Sequence, residues 1–566
     1  MLLNPKTENF SHLDERSRQI MEKTIAFFEG KGKQGVKQDH FDRVWYDDFL
    51  SFVKENKIFA NLLTPPAYAS GDANARWDTY RNCDFNEIMG FYGLNYWYTW
   101  QVSILGLGPV WMSKNETVKR QAAEKLDEGG IFAFGLSEKA HGADLYSSEM
   151  ALTPLSEGKY VADGGKYYIG NANEAALVST FGKNSETDEY VFFVVQPGHE
   201  NYELVKNVVH WQSYVAEYAL HSYPITDDDI LSSGSDAWDT ALNTVNVGKY
   251  NLGWASIGIC THAFYEAINH AGNRNLYGRY VTDFPHIRRL FMDAYTRLAA
   301  MRLFARRASD YARSASPDDR RYLLYNSLVK MKVTTQGEEV IDLLWDIIAA
   351  KGFEKDVYFE NATIDIRTLP KLEGTVHVNM ALVVKFMASY FFNPGRFPDI
   401  PLCNEPVHDA FLFNQGPTRG LGKIQFHDYH LAYNAVDLPN VTIFKRQIQT
   451  LSQLLMDAPP DKAQTGDMDF LLSLGELFTL VAYGQLLIEK YKMDDVDDDL
   501  LDQMFDFMVR DFSKFALILY NHPDSNATQM EHCLRMIEKP AGDPARFERL
   551  WQKYVIVLKG AYEMTP

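Results

Sequence analysis

From about Ser11 to Glu128, apolar residues recur three and four positions apart with charges on the opposite side, as in IMEKTIAFF and WYDDFLSFVKEN. That period predicts amphipathic, half-buried helices. Between Phe132 and roughly Asp239 the pattern becomes short and alternating, as in KYVADGGKYYIG (159–170) and YVFFVV (190–195), with Gly, Asn and Asp between the runs. This texture predicts the strands of a small β domain. The helical period returns from Thr240 to Phe392 in segments such as HIRRLFMDAYTRLAAMRLFARRASDYARS and YLLYNSLVKMKVTTQGEEVIDLLWDIIAAKG, which are long enough for a bundle. NPGRFPDIPLCNEP (393–406) and GPTRGLGK (416–423) then break the pattern as a linker. Three or four further helical segments follow, from about Lys445 to Met564. The expected fold is mainly α with a central small β domain. Its parts are helices over 1–130, β structure over 131–240, a helical bundle over 241–392, a linker over 393–444 and a C-terminal helical extension over 445–566.

At 566 residues the chain exceeds what one core usually supports, which agrees with several packed units. A formal charge of −19 disfavours nucleic acid and anionic membrane surfaces at long range. The four cysteines stand far apart without a CxxC pair, which suits reduced thiols and a cytoplasmic setting. The N-terminal MLLNPKTENFSHLDERSR has no apolar core of a signal peptide. The most apolar run, FLLSLGELFTLVAYGQLLIEK (470–490), is interrupted by Glu476 and Gln485, so no transmembrane segment is expected. The acidic DDVDDD (494–499) reads as a solvated cap between helices rather than a docking site.

Four segments carry the candidate chemistry: FAFGLSEKAHGAD (132–144), GKYYIGNAN (165–173), NRNLYGRYVTDFPHIRRL (273–290) and DIIAAKGFEKDVYFENATIDIRTLPKLEGTVHVN (346–379). In this order and spacing they resemble the acyl-CoA dehydrogenase family over about residues 85 to 392. The resemblance implies an N-terminal helical domain, a β domain and a four-helix bundle, with FAD as cofactor. It also implies α,β-dehydrogenation of an acyl-CoA thioester, with Glu373 of the Glu-Gly-Thr triplet as the base that takes the α-proton. Such a carboxylate works only if the thioester carbonyl is polarised by hydrogen bonds that strengthen as an enolate develops.

The remaining roles follow from the same resemblance. Ser137, in place of the family's Thr, would bond the flavin pyrimidine edge, with Phe134 and Leu136 against the ring. Tyr168 replaces a Trp that backs the flavin, beside Ile169. Gly170 stands where a Thr hydroxyl normally reaches flavin N5, so that bond falls to Asn171, to water or to nothing. Arg274 would pair with the FAD pyrophosphate, with Tyr277 beside it, reaching a cofactor held by a neighbouring subunit, which implies an oligomer. Gly352 is kept, but Ala349 and Ala350 replace two glycines that let backbone approach the diphosphate. Asn361 stands at or near a usual Arg, and Thr375 would touch the cofactor. Substrate contacts would come from Gly374, from Ala143 in place of a Ser, and from Trp97, Tyr98 and Trp100 flooring the acyl pocket. His141 and His377 are candidates for substrate polar groups or simply for loop hydrogen bonds. The C-terminal extension resembles that of larger members, in which it replaces a subunit interface, so a homodimer is expected. The implied electron acceptor is electron-transfer flavoprotein. The alternatives are a catalytically weakened flavoprotein or scaffold of the same fold, and a flavin monooxygenase, which generally lacks a carboxylate at the Glu373 position.

Overall fold

The computed structural model describes residues 1–210 and 212–566, and these form two compact units. The first comprises Asn9–Asn251, Asn404–Arg419 and Thr565–Pro566, and the second Met1–Glu8, Leu252–Cys403 and Gly420–Met564.

The first unit opens with helices α1 (Glu15–Asp42), α2 (Asp47–Glu55), α3 (Ile58–Leu63), α4 (Thr79–Tyr92), α5 (Leu94–Met112) and α6 (Glu116–Asp127). Side-chain caps start several of them: Asp14 accepts from the Ser17 N–H, Asp78 from Tyr80 and Arg81, and Asn115 from Val118. Helix α5 is apolar nearly all round and buried along almost its whole length. Gly106 lets it lie directly on the first strand, because a Cβ there would sit 2.6 Å from the Ala133 amide nitrogen. Eight strands follow: β1 (Phe132–Gly135), β2 (Ala151–Ser156), β3 (Lys159–Gly170), β4 (Leu177–Asn184), β5 (Tyr190–Val195), β6 (Tyr202–Asn207), β7 (Val215–Thr226) and β8 (Ile230–Ser233). They form one sheet in the order β6-β7-β3-β2-β4-β5-β8, with β1 added parallel to β4. Inward residues such as Leu152, Ile169, Val178, Phe193 and Tyr218 make its core. The ladder of β3 with β7 slips at Ala162/Gly164 and again at Tyr167/Ile169, and the second bulge throws Tyr168 into left-handed backbone, φ 66°.

Residues 404–419, read from sequence as part of a linker, instead belong to this first unit. The Trp77 N–H donates to Nδ1 of His408 at 3.1 Å, and the Thr79 N–H to the Asp409 carboxylate at 2.6 Å. Asp409 thus satisfies an orphan donor at the start of α4.

Helix α7 (Gly234–Asn273) contains the division between the units, and the strands β9 (Asn275–Leu276) and β10 (Arg279–Tyr280) follow it as a hairpin. The second unit continues with α8 (Pro285–Arg313), α9 (Tyr322–Leu328), a π-helical turn (Val329–Val333), α10 (Thr334–Ile348), α11 (Phe359–Thr368) and α12 (Val376–Phe392). The extension supplies α13 (His430–Tyr433), α14 (Pro439–Asp457), α15 (Met468–Met493), α16 (Asp498–Tyr520), α17 (Ala527–Arg535) and α18 (Pro544–Leu550). Helix α14 begins inside the segment read as linker, with Pro439 at its first turn. Bundle and extension belong to the same compact unit. Arg297 of α8 forks onto Asp511 of α16 at 2.7 and 2.8 Å and also reaches Glu339 of α10 at 2.8 Å. Burial opposes the charge on Arg297, but Asp511 and its acidic neighbours outweigh it and raise the guanidinium's pKa. By length and composition alone α15 passes as long and apolar enough to cross a membrane, unlike the sequence reading. Yet 83% of its most apolar window is buried within the protein, where α8, α12 and α16 pack against it. The acidic turn before α16 is absorbed internally: Asp497 caps the helix and pairs with Lys553, and Asp499 pairs with Arg549.

Candidate active site

In the first unit the flavin-like segment leaves β1 and is laced to β3. The Ser137 hydroxyl donates to the Tyr167 carbonyl at 2.8 Å, and the Tyr167 N–H donates back to the Ser137 carbonyl at 3.0 Å. Beneath this lies a buried ion pair, Lys166 Nζ to Glu138 at 2.7 Å. The Glu138 carboxylate also accepts from the Ser148 hydroxyl and from the N–H groups of Glu149 and Met150, while Lys166 also donates to the Leu136 carbonyl. Burial lowers Lys166 to about 8 against the pull of Glu138. Burial pushes the Glu138 pKa upward, but Lys166 and the surrounding donors win and hold it below its ordinary value. The loop carrying Leu136 and Ser137 is therefore fixed from below, and both side chains stay half-buried. Phe134 is buried and its ring stacks on Phe192. Ala143 lies exposed farther along the loop, and the half-buried His141 sits 3.3 Å from Glu149.

The end of β3 departs from what sequence suggested. Tyr168 stands out at the bulge, 40% exposed, whereas Ile169 turns its side chain into the β core. Gly170 is not an empty position. A Cβ there would lie 2.5 Å from Cε1 of Tyr98 and 2.7 Å from Cγ2 of Val102, so the Tyr98 ring occupies the space a side chain at 170 would need. Asn171 has its donors committed: its carboxamide nitrogen donates to the carbonyls of Thr99 (3.1 Å) and Phe132 (3.0 Å), and its N–H to Tyr214 (3.1 Å). It therefore ties α5 to β1 and has no donor left for a flavin nitrogen. Of the three aromatics on α5, Trp97 and Trp100 are fully enclosed and share Oδ1 of Asn86 as acceptor, at 2.7 and 3.0 Å. They are core residues, and Tyr98 alone meets β3 at Gly170.

In the second unit the exposed Arg274 follows the last residue of α7 and leads into the β9–β10 hairpin. The hairpin tip, Tyr277 and Gly278, has φ 55° and 80°, as a tight two-residue turn requires, and leaves Tyr277 96% exposed. One turn back, His270 is lowered in pKa by burial first and then by the positive charges of Arg274 and Lys351. Arg274 and Lys351 thus disfavour a charge on His270, and Lys351 also pairs with Glu354. The sequence pattern picks out Ala349, Ala350, Gly352 and Phe353 here but not Lys351 between them. Ala349, the residue closing α10, has φ 55° and ψ −139°, a conformation that suits glycine. Ala350 is exposed and Gly352 buried.

Glu373 lies on the short connection between α11 and α12, where the chain direction bends by 47°. It is half-buried, and with Gly374 it forms two consecutive left-handed residues, φ 52° and 86°. Two buried side chains tie this loop down. Lys330 donates to the carbonyls of Pro370 (2.7 Å) and Gly374 (2.5 Å), and Asn379 donates to those of Gly374 and Thr375, both at 3.0 Å. The Thr375 hydroxyl caps α12 by accepting from the Val378 N–H. Asn361 is buried on α11, and His377 is exposed on α12.

Residues 236–388 match the family model for the acyl-CoA dehydrogenase C-terminal domain, a range that includes Arg274, Gly352 and Glu373. This part of the chain is an acyl-CoA dehydrogenase C-terminal domain. It is 24% identical over 385 residues to the very long-chain specific acyl-CoA dehydrogenase of Bos taurus, an alignment covering 64% of this chain and 57% of that protein. A Bacillus subtilis acyl-CoA dehydrogenase is 23% identical over 50% of this chain and 75% of its own length. An acyl-CoA dehydrogenase crystal structure from Bacillus anthracis, complexed with FAD, has the same fold from end to end. Its TM-score is 0.73 at 15% identity, covering 98% of this chain and 97% of that one. The correspondence therefore extends through the C-terminal helices as well as the three-part core.

Proposed function

We propose that the protein is an FAD-dependent acyl-CoA dehydrogenase in which Glu373 removes the α-proton of the thioester. The observation that carries this reading is the carboxylate's setting: Glu373 and Gly374 stand in consecutive left-handed conformations, fixed by Lys330 and Asn379, within the family-matched segment. Non-glycine residues hold such backbone only where their surroundings impose it, and functional sites are where that strain collects. The residues present also fit a flavin dinucleotide. The exposed Arg274 and the half-buried Lys351 are permanent positive charges that suit a pyrophosphate. The anchored Ser137 loop offers a hydroxyl and main-chain groups at a protein-fixed position. FAD, when bound, supplies the acceptor for the β-hydride.

On this reading Glu373 takes the proton, and its own N–H, held with the loop, helps polarise the thioester carbonyl as charge develops there. Arg274 and Lys351 hold phosphate, Thr375 lies against the cofactor, and Asn171 drops out of the cofactor set. Tyr98, over Gly170, stays the candidate substrate contact of α5. The acyl-CoA is the substrate and electron-transfer flavoprotein the acceptor. A relative from Acetobacterium woodii, named as a subunit of a caffeyl-CoA reductase–Etf complex, supports that partner. A cytoplasmic homodimer completes the proposal.

The test is anaerobic mixing of the purified yellow protein with a panel of acyl-CoAs, following flavin absorbance. At least one acyl-CoA bleaches the wild type, while Glu373→Gln keeps its FAD and does not bleach. A Glu373→Gln protein that bleaches at the wild-type rate sinks the assignment.

A further inference from the structure

We infer that Lys330 is a positioning residue for Glu373, acting through the main chain of the Glu373 loop; this rests on the reading of Glu373 as the base. Lys330 is fully buried. An ammonium withdrawn from water is tolerated only when its protons are bonded, and two of its bonds go to the Pro370 and Gly374 carbonyls. Those carbonyls bracket Lys371, Leu372, Glu373 and Gly374. Pinning both ends restricts rotation of the peptide units between them, and hence the direction of the Glu373 side chain and N–H. Asn379, 1% exposed, holds the Gly374 carbonyl from the other side.

The helix that presents Lys330 is itself modified there. Between α9 and α10 the chain makes the π-helical turn Val329–Val333. Such a turn widens the helix, weakens its regular bonding and recurs at functional sites. Here the disturbed carbonyls are repaired locally. The buried Thr334 hydroxyl donates to the Lys330 carbonyl at 2.5 Å, and that of Thr335 to the Met331 carbonyl at 3.0 Å. The same turn carries Lys332, also buried, whose ammonium lies 3.9 Å from Asp511 of α16. One short turn thus serves the Glu373 loop with one lysine and faces the extension with another.

Lys330→Met removes charge and donors while keeping most of the side-chain length. In single-turnover mixing with the best acyl-CoA, we expect the limiting rate of flavin reduction to fall by about 100-fold. The acyl-CoA dissociation constant and the FAD content should change by less than about threefold, because the loop is misdirected rather than lost. Amide hydrogen exchange of the folded variant should quicken in the peptide spanning 369–376 and stay unchanged in the β domain. Wild-type reduction together with wild-type exchange overturns the proposal. If Lys330→Met does not accumulate as folded protein, Lys330→Arg decides by the same two measurements. The planar fork cannot reproduce the lysine's bonds to both carbonyls, so reduction slows by about tenfold with faster exchange at 369–376; unchanged values again overturn it. Glu373→Gln is run in parallel. If it reduces normally, the assignment of the base fails; if it is inactive while Lys330→Met is normal, only the role of Lys330 fails.

Discussion

The end of β3 and the turn after α10 both break the family pattern, and in opposite directions. At Gly170 a side chain is missing, and the Tyr98 ring fills its place. At Ala349 a side chain has been added where the backbone, at φ 55° and ψ −139°, favours glycine, and the residue is exposed. Inside a packed layer a lost group is replaced by a neighbour, since voids cost contact energy. On an exposed turn no neighbour can absorb the change, so the strain stays in the backbone.

The largest expected effect sharpens the packed side of this contrast. The loop beside β3 depends on the buried Lys166–Glu138 pair, so Glu138→Ala should cost about 3–5 kcal/mol by leaving an ammonium buried without its partner. Urea unfolding would show it, and a loss under 1 kcal/mol would mean the pair does not anchor the loop. Next, Gly170→Thr should destabilise by about 1–3 kcal/mol through overlap with Tyr98 and Val102. In a Tyr98→Ala background that added cost should shrink, leaving the part due to Val102. Strict additivity of the two changes would break the claim that the ring stands in for the missing side chain. The smallest effect has the opposite sign. Ala349→Gly should stabilise by about 1 kcal/mol, because the relieved strain exceeds glycine's entropic cost. The denaturation midpoint should rise with an unchanged slope, and a fall would show that the turn is not strained.

Much of the fold could be read directly from residue pattern. Strands β3 and β5 coincide with KYVADGGKYYIG and YVFFVV because alternation between core and solvent is local information. The Glu-Gly-Thr triplet, Arg274 and the paired alanines stand out in sequence as candidates, and their roles belong to the proposal above. What stayed hidden depends on residues far apart in the chain. The Tyr98 ring over Gly170 joins positions on α5 and β3, and the absence of a Thr there reads in sequence only as a lost hydrogen bond. Lys330 looks like one more cation in a long helix, and nothing local reports that its partners are the carbonyls of residues 370 and 374. Trp97 and Trp100 read equally well as pocket floor or core, and only their shared acceptor, Asn86, decides for core.

The segment Asn404–Arg419 sets an order of events during synthesis. It completes the first unit, where His408 and Asp409 receive the main-chain N–H groups of Trp77 and Thr79, yet it is translated after residues 252–403. The helices and sheet that emerge first from the ribosome therefore wait, with one surface unfinished, until the bundle has been made. The contacts of the first unit are thus complete only after residues 252–403 have been made.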